Sequence, residues 1–505
     1  MTLINTNKVN FKKFKKESYN EKFIIFLFSF LPISLILGNS AINSNILIID
    51  LFFLLTCYHQ KQWSWIRNKY FYFFIFIWIY LVINSIFSDN GAETFFDTIR
   101  KEIVNPKNDS IIRSVGFIKF IIFLFAVQYF FFNSKKIFNQ IFLYWSIIIF
   151  VVLIDVVFER IGGFNLLGFK SPSPTRIVSF FKDELVVGGF ILGFSFLISG
   201  FLFNLTKSGK DSFTSFLNAS GIIDRVTRFN LSSTVKKILP STFFCLSIVC
   251  IYLSGERSNF IKALIIFSII LLLINDAYFY IKKKYIFLFV IIGLALVTLV
   301  SRNIYITQIQ SYKKIIRSID RTAESWNKCA SMERINMEKC YEEDTEQTHS
   351  LENFLAIPNY HEKLGHLRHF AHYEVAWQII KDYPIFGVGN LQFRHICHNI
   401  KYYDTRILYT KQRCSTHPHQ VHFEILSEQG IIGYLIIIFA IFNVLFNSFK
   451  VYRKTGDLIH LSSILFVLTF FIPLLPTGSF FSTFNGSIFW INFSLVHAFL
   501  NKPND

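Results

Sequence analysis

The chain has 505 residues, 52% of them hydrophobic, with 63 phenylalanines and a formal net charge of +18, and its mean hydropathy is +0.42. That composition excludes an ordinary soluble domain and points to an integral membrane protein. Nucleic-acid binding is a poor reading of the charge, because the basic residues are scattered across loops rather than gathered into one stripe.

Many apolar runs reach the roughly 17 to 25 residues that carry a helix through about 30 Å of hydrocarbon. Helices are the expected spanning element, since a lipid-exposed backbone must satisfy its own hydrogen bonds. In chain order about twelve spans are expected, near 22–39, 42–58, 70–87, 114–132, 137–158, 185–204, 239–254, 259–275, 284–300, 430–449, 459–476 and 484–501. The first follows "KKFKKE" with no small-residue cleavage site, so it reads as a retained span with the N-terminus in the cytoplasm. The basic loops "KQWSWIRNK", "NSKK", "KKK" and "KVYRK", and the stretch from Lys207 to Lys237, then fall on that same side, as the positive-inside rule requires. The expected architecture is an all-α polytopic membrane protein. It comprises a cytoplasmic N-terminus (1–21), a nine-span region (22–300), one large, partly helical outside loop (301–429), a three-span region (430–501) and a cytoplasmic C-terminal end (502–505).

The outside loop holds ten of the thirteen histidines, and its aromatic and aliphatic content ("HYEVAWQIIKDYPIFGVGNLQF") implies that it folds. Cys57, Cys245 and Cys250 lie in or beside spans. The other four cysteines fall in the outside loop, where adjacency favours pairing Cys329 with Cys340 and Cys397 with Cys414 over the other two connectivities. His366, His369 and His372, at three-residue steps, fan over about 120° of a helix, unlike the four-residue spacing that aligns two zinc ligands; no metal is expected there. Arg368 beside them suits a sugar-binding surface. Asp50, Lys119 and Lys262 are charges within spans, a functional hint by default, but the two lysines lie near span ends, from which they can reach outward.

The stretch "RCSTHPHQVHFEILSEQGIIGY" (413–434) carries the densest chemistry. Ser415 or Thr416 can cap a helix with Pro418 in its first turn, and the helix can run unbroken into span ten. His417, Glu424 and Glu428 would then share one face, with His419 about 160° away at 100° per residue, and His417 would pair with Glu424 or orient the turn. Gly430 and Gly433 permit a close helix contact. Arg257 lies in the short outside turn "SGERSNF" (254–260), and Arg176 lies just before span six on the same side. Arginines so near hydrocarbon commonly anchor at the interface; two guanidinium forks can also hold a diphosphate, with Glu256, Lys182 and Glu184 in support.

The run from His419-Gln420 across nine residues to Gly430 and on to Gly433 resembles the signature of the bacterial O-antigen ligase and O-antigen polymerase superfamily. "DYPIFGVGNLQF" (382–393) is similar to its Pro-x-x-Gly-x-Gly segment, and "RCSTHPH" resembles a form found in a subset of members. "SGERSNF" and "TRIVSFFKDELVVGGFI" (175–191) resemble its arginine-bearing segments, so the resemblance covers about residues 170–450. It implies glycan transfer from an undecaprenyl diphosphate-linked donor to an acceptor hydroxyl, on the periplasmic face of the inner membrane, without nucleotide, metal or other cofactor. It casts His419 as the catalytic base and Arg176 and Arg257 as diphosphate ligands, with His417, Gln420, Glu424, Glu428, Glu256 and Arg368 in supporting places. The acceptor stays open between another lipid-linked repeat unit (a polymerase) and lipid A-core (a ligase), with the "RCSTHPH" form favouring the polymerase and a protein acceptor as a third variant. A chain-length regulator or other assembly proteins are partners it allows. A flippase or transporter of similar span count should show pseudo-symmetric halves and polar residues within its spans, and the sequence has no internal repeat.

Overall fold

The computed structural model of the protein describes residues 18–88, 95–97, 102–173, 175–182, 184–207, 233–273, 369–402 and 413–500. In chain order these form α1 (Ser18–Ser29), α2 (Leu31–Leu37), α3 (Asn39–Gln60), α4 (Lys69–Phe87), a hairpin of β1 (Phe95–Asp97) and β2 (Glu102–Val104), α5 (Pro106–Gly116), α6 (Ile118–Asn133), α7 (Lys135–Gly162) and α8 (Val187–Lys207). There follow α9 (Ser233–Leu253), α10 (Arg257–Leu273), α11 (His369–Asp382), α12 (Phe393–Ile396), α13 (Val421–Thr455), α14 (Leu458–Phe470) and α15 (Thr483–Leu500). The hairpin is antiparallel with Phe95 opposite Val104.

Among the described residues, six helical stretches are long and apolar enough to cross a membrane: Asn39–Gln60, Lys69–Phe87, Pro106–Phe131, Lys135–Gly162, Val187–Leu205 and Val421–Thr455. Ile238–Leu253 and Leu458–Phe470 are shorter apolar helices. The protein is thus a multi-pass membrane protein. The expected first span is broken into α1 and α2, and α2 ends at Gly38, whose φ of 103° no ordinary side chain favours. The expected span at 284–300 lies outside the described residues. Exposed apolar side chains such as Phe76, Ile83, Leu435, Phe439 and Phe446 make a surface suited to lipid rather than water.

Polar residues punctuate the apolar helices. Asn68 caps α4 by accepting from the Tyr70 N–H, Asn105 caps α5 with Pro106 as its first residue, and Asp457 caps α14 by accepting from the N–H groups of Ile459 and His460. In the interior, α15 packs along α6, and α8 contacts α9 and α14. The phenylalanines interlock there: Trp490 stacks on Phe120 at 5.7 Å and meets Phe117 edge-on at 5.4 Å, contacts each worth about 0.5–1.5 kcal/mol beyond area burial. Neither intramembrane lysine reaches outward as the sequence suggests. Lys119 donates to Asn43 Oδ1 at 2.5 Å, and the buried Lys262 donates to the Pro476 carbonyl at 3.0 Å, because an ammonium that close to hydrocarbon takes the nearest acceptor.

The described part of the expected outside loop is partly helical and builds a small core of its own from Val375, Ile379, Val388, Phe393, Ile396 and Tyr402. Through α11 it rests on α13.

Candidate active site

Helix α13 starts later than the sequence suggests. Gln420, rather than Ser415 or Thr416, is its cap, accepting through Oε1 from the N–H groups of His422 at 2.7 Å and Phe423 at 3.1 Å. The Ser415 hydroxyl bonds the His417 carbonyl, and the His417 N–H donates back to Ser415 Oγ at 3.3 Å. Such a local bond offers the backbone an alternative to the helix, and Pro418 therefore lies ahead of the first turn. His419 takes a left-handed φ of 58°, a strained conformation that persists only where its surroundings fix it; here the Thr477 N–H donates to its carbonyl at 2.8 Å. The expected 160° separation of His417 and His419 is overturned: their rings lie 4.2 Å apart, since neither belongs to the helix whose phase was applied.

Nor does α13 run unbroken. Gly430 has φ 63° and ψ −174°, a region essentially confined to glycine. The break frees two rungs of the helix ladder, and the Pro384–Gly389 segment takes them up. The N–H groups of Ile431 and Ile432 donate to the carbonyls of Pro384 at 2.9 Å and Ile385 at 3.3 Å, while the carbonyls of Ser427 and Glu428 accept from Val388 at 2.9 Å and Gly389 at 2.8 Å. A Cβ on Gly430 would collide with the Ile385 carbonyl. Helix α4 braces the junction, with Tyr80 donating to the Gln429 carbonyl at 2.7 Å and Asn84 to the Phe386 carbonyl at 3.0 Å. Gly433 lies against Tyr80, so it does serve a close helix contact, whereas Gly430 serves the loop. The two glycine-bearing stretches are one interlocked unit. Beside it opens a largely apolar cleft of about 580 Å³, walled by Tyr80, Ile83, Phe87, Pro384, Ile385 and Phe386.

The carboxylates of α13 are fully buried and are spent on backbone. Glu428 accepts from the N–H groups of Leu391 at 2.8 Å and Phe393 at 3.3 Å. Glu424 accepts from the Ser479 hydroxyl and from the Phe480 N–H at 2.8 Å. The expected pairing of Glu424 with His417 is not made: His417 Nε2 lies 3.2 Å from the Thr477 carbonyl and Nδ1 lies 3.0 Å from Thr416 Oγ1. Arg394 of α12 escaped the sequence reading, for which a lone arginine in the apolar "LQFRHI" was the available signal. Burial lowers its pKa from the usual value and Glu428 opposes that, while its buried Nε has no hydrogen-bond partner among the described residues.

Helix α11 brings His369 and His372 to His419, with ring centroids 4.9 and 5.2 Å from it. Burial pushes His417 down to about 4 and His419 to about 2, and the neighbouring imidazoles add to both shifts. Both rings are therefore neutral at neutral pH. His366 and Arg368 lie outside the described residues, as do Cys329 and Cys340. Cys397 and Cys414 are joined by a disulfide with a Cα–Cα distance of 5.4 Å. Arg413 clasps the same strand of chain, donating to the carbonyls of Cys397 at 3.0 Å and His398 at 3.1 Å, and its own carbonyl lies 2.9 Å from His372 Nδ1.

The arginine turn is built differently. Gly255, at φ +77°, leaves room for the Thr175 carbonyl where a Cβ would stand, and the Ile177 N–H donates to the Ser254 carbonyl at 3.2 Å, which lays the Arg176 segment on the turn. Glu256 accepts from the N–H groups of Gly188 at 2.7 Å and Gly189 at 3.2 Å, at the start of α8, where the helix dipole favours an anion. Burial raises its pKa, and Arg176 and these N–H groups oppose the rise. Arg176 Nη2 lies 3.8 Å from Glu256 and donates to the Leu185 carbonyl at 2.7 Å. Arg257 opens α10 and is exposed, as are Lys182 and Glu184. From this turn α10 carries Lys262 to the Pro476 carbonyl, one residue before the threonine that holds both His417 and His419.

Residues 242–438 match the family model described as O-antigen ligase. The match takes in Arg257, Arg394, both histidines of the turn and both glycines of α13, and begins after Arg176. No curated protein matches the chain.

Proposed function

We propose, on the match of residues 242–438 to the O-antigen ligase family model, that the protein transfers glycan from an undecaprenyl diphosphate-linked donor to an acceptor hydroxyl at the periplasmic face of the inner membrane. His419 accepts the proton of the acceptor hydroxyl while that oxygen attacks the anomeric carbon. The bond from the anomeric carbon to the phosphate oxygen breaks, its electron pair leaves with the diphosphate, and Arg176 and Arg257 balance the growing charge. Configuration at that carbon inverts. Supporting this reading above all is the place of His419: a neutral imidazole in a strained backbone conformation, held by Thr477. Buried alone it is a weak base, and an arriving diphosphate strengthens it, because nearby negative charge favours imidazolium. The exposed Arg257 suits first contact with the diphosphate, Arg176 suits the second, and the apolar cleft beside the kink suits the carrier's hydrocarbon chain.

The acceptor is read as a second lipid-linked repeat unit, on the "RCSTHPH" form, whose arginine and cysteine clamp the loop around the histidines. Purified protein, a synthetic diphosphate-linked donor and chelator in detergent should then give a ladder of lengthened lipid-linked glycan. His419→Ala should lower transfer roughly 10²- to 10⁴-fold, the range for a lost general base. Near-normal turnover by that variant removes the histidine from the mechanism, and transfer to lipid A-core in place of a ladder makes the protein a ligase.

A further inference from the structure

We propose that His369 and His372 of α11, together with His419, form a binding site for a divalent transition-metal cation such as Zn²⁺, and that its occupation withdraws His419 from proton transfer. The three side chains offer one ring nitrogen each, all within 4.8 Å of one another. They come from two parts of the chain about fifty residues apart. The three-residue step from His369 to His372 sets both on one side of α11, and the left-handed backbone at His419 turns the third ring towards them. An all-imidazole donor set suits Zn²⁺, Co²⁺, Ni²⁺ or Cu²⁺ and does not suit Mg²⁺ or Ca²⁺, which take oxygen.

The surroundings resemble those of a metal-binding histidine. The Arg413 carbonyl lies 2.9 Å from His372 Nδ1, and a backbone carbonyl at one ring nitrogen is the usual outer-shell arrangement around metal-bound imidazole. His417 is close but engaged at both nitrogens, with Thr477 and Thr416, so the fourth position of a tetrahedral ion falls to water or an exogenous anion. His369 and His419 are half-buried rather than sealed, which leaves a route in. Zinc–nitrogen bonds of about 2.0–2.1 Å put tetrahedral ligands roughly 3.3 Å apart, so binding draws the three rings together by small side-chain rotations. The binding half stands on these residues alone; the inhibition half rests on the reading of His419 as the base.

The test uses full-length protein in detergent, free of any polyhistidine tag and stripped with chelator, then titrated with Co²⁺. One equivalent should give the intense visible absorption of a tetrahedral site, displaced by Zn²⁺. His369→Ala and His372→Ala should each weaken binding by at least the roughly 10- to 100-fold typical of losing only an outer-shell partner, and His422→Ala, outside the cluster, should bind like the wild type. No saturable absorption in the wild type, or undiminished absorption in both cluster variants, overturns the site. In the transfer assay Zn²⁺ should inhibit and chelator should restore. Metal binding with unimpaired transfer overturns the inhibition half, and a protein that binds Co²⁺ as expected but transfers no glycan fails the proposed function while the site stands.

Discussion

At the arginine turn, charge is divided between interior and surface: Arg176 is held by the Leu185 carbonyl and faces Glu256, while Arg257 projects exposed from the first position of α10. In the histidine cluster no such division exists. His417 and His419 are neutral and the rings pack on one another, and the carboxyl groups that follow in α13, Glu424 and Glu428, bond to peptide groups and hydroxyl instead of to the rings. The difference suits the roles proposed for the two places. A guanidinium meant for an anion must keep donors free, and a base must stay unprotonated until its substrate arrives, which a salt-bridged histidine would not. Glu424 and Glu428, expected in supporting places, are struts under the loops that carry Arg394 and Thr477.

The contrast can be broken most severely at Gly430. Gly430→Val demands a backbone conformation costing on the order of 1–3 kcal/mol for a non-glycine residue and adds a clash with the Ile385 carbonyl. It should abolish recovery of monodisperse protein by gel filtration, whereas Gly116→Ala, where the backbone is helical and a Cβ meets open space, should leave recovery near normal. Next comes Glu428→Ala. Removing this carboxyl orphans the Leu391 and Phe393 N–H groups, each costing about 1–3 kcal/mol when left unsatisfied in the interior, and takes away the acidic group that most opposes the lowering of the Arg394 pKa. A thermal melt in detergent should show a large drop, and an unchanged melting point contradicts the strut role. Cys414→Ser should act more gently. The bridge closes a separation of 17 residues, worth about 3 kcal/mol in the chain-entropy model, and much of that loss should stay local to the Cys397 loop, read by faster proteolysis there with the spans intact.

How much of this was legible in the sequence varies by the range of the interactions involved. The apolar spans and the segments flanking them could be read because lipid imposes length and composition locally. The start of α13 could not: Ser415 and Pro418 carry ordinary helix-start signals, and what defeats them is a side-chain bond to His417 and the pull of Thr477 on His419, nearly sixty residues away in the chain. The break at Gly430 was invisible for the same reason, since glycine reads as a small packing residue until the carbonyls of Pro384 and Ile385 are known to take up the N–H groups of the two residues that follow it. Arg394 passed unnoticed and Lys262 was expected to reach outward, because the groups that act on them, the Glu428 carboxyl and the Pro476 carbonyl, lie in other parts of the chain. His369 and His372 gave no metal-like spacing on their own, and their third neighbour is supplied by a different segment.

On the proposed mechanism the two regions divide one reaction, the arginine turn holding donor and His419 moving the proton. Donor affinity and turnover, measured on the same purified protein, separate these duties. Arg257→Ala should weaken donor binding and slow transfer, losing roughly 10²- to 10³-fold as when one transition-state donor is removed, and Arg257→Lys should recover little of it, because an ammonium lacks the bidentate fork. His419→Ala should bind the donor as tightly as the wild type yet transfer roughly 10²- to 10⁴-fold more slowly. Should His419→Ala lose donor affinity while keeping the wild-type turnover at saturation, the division of labour is contradicted.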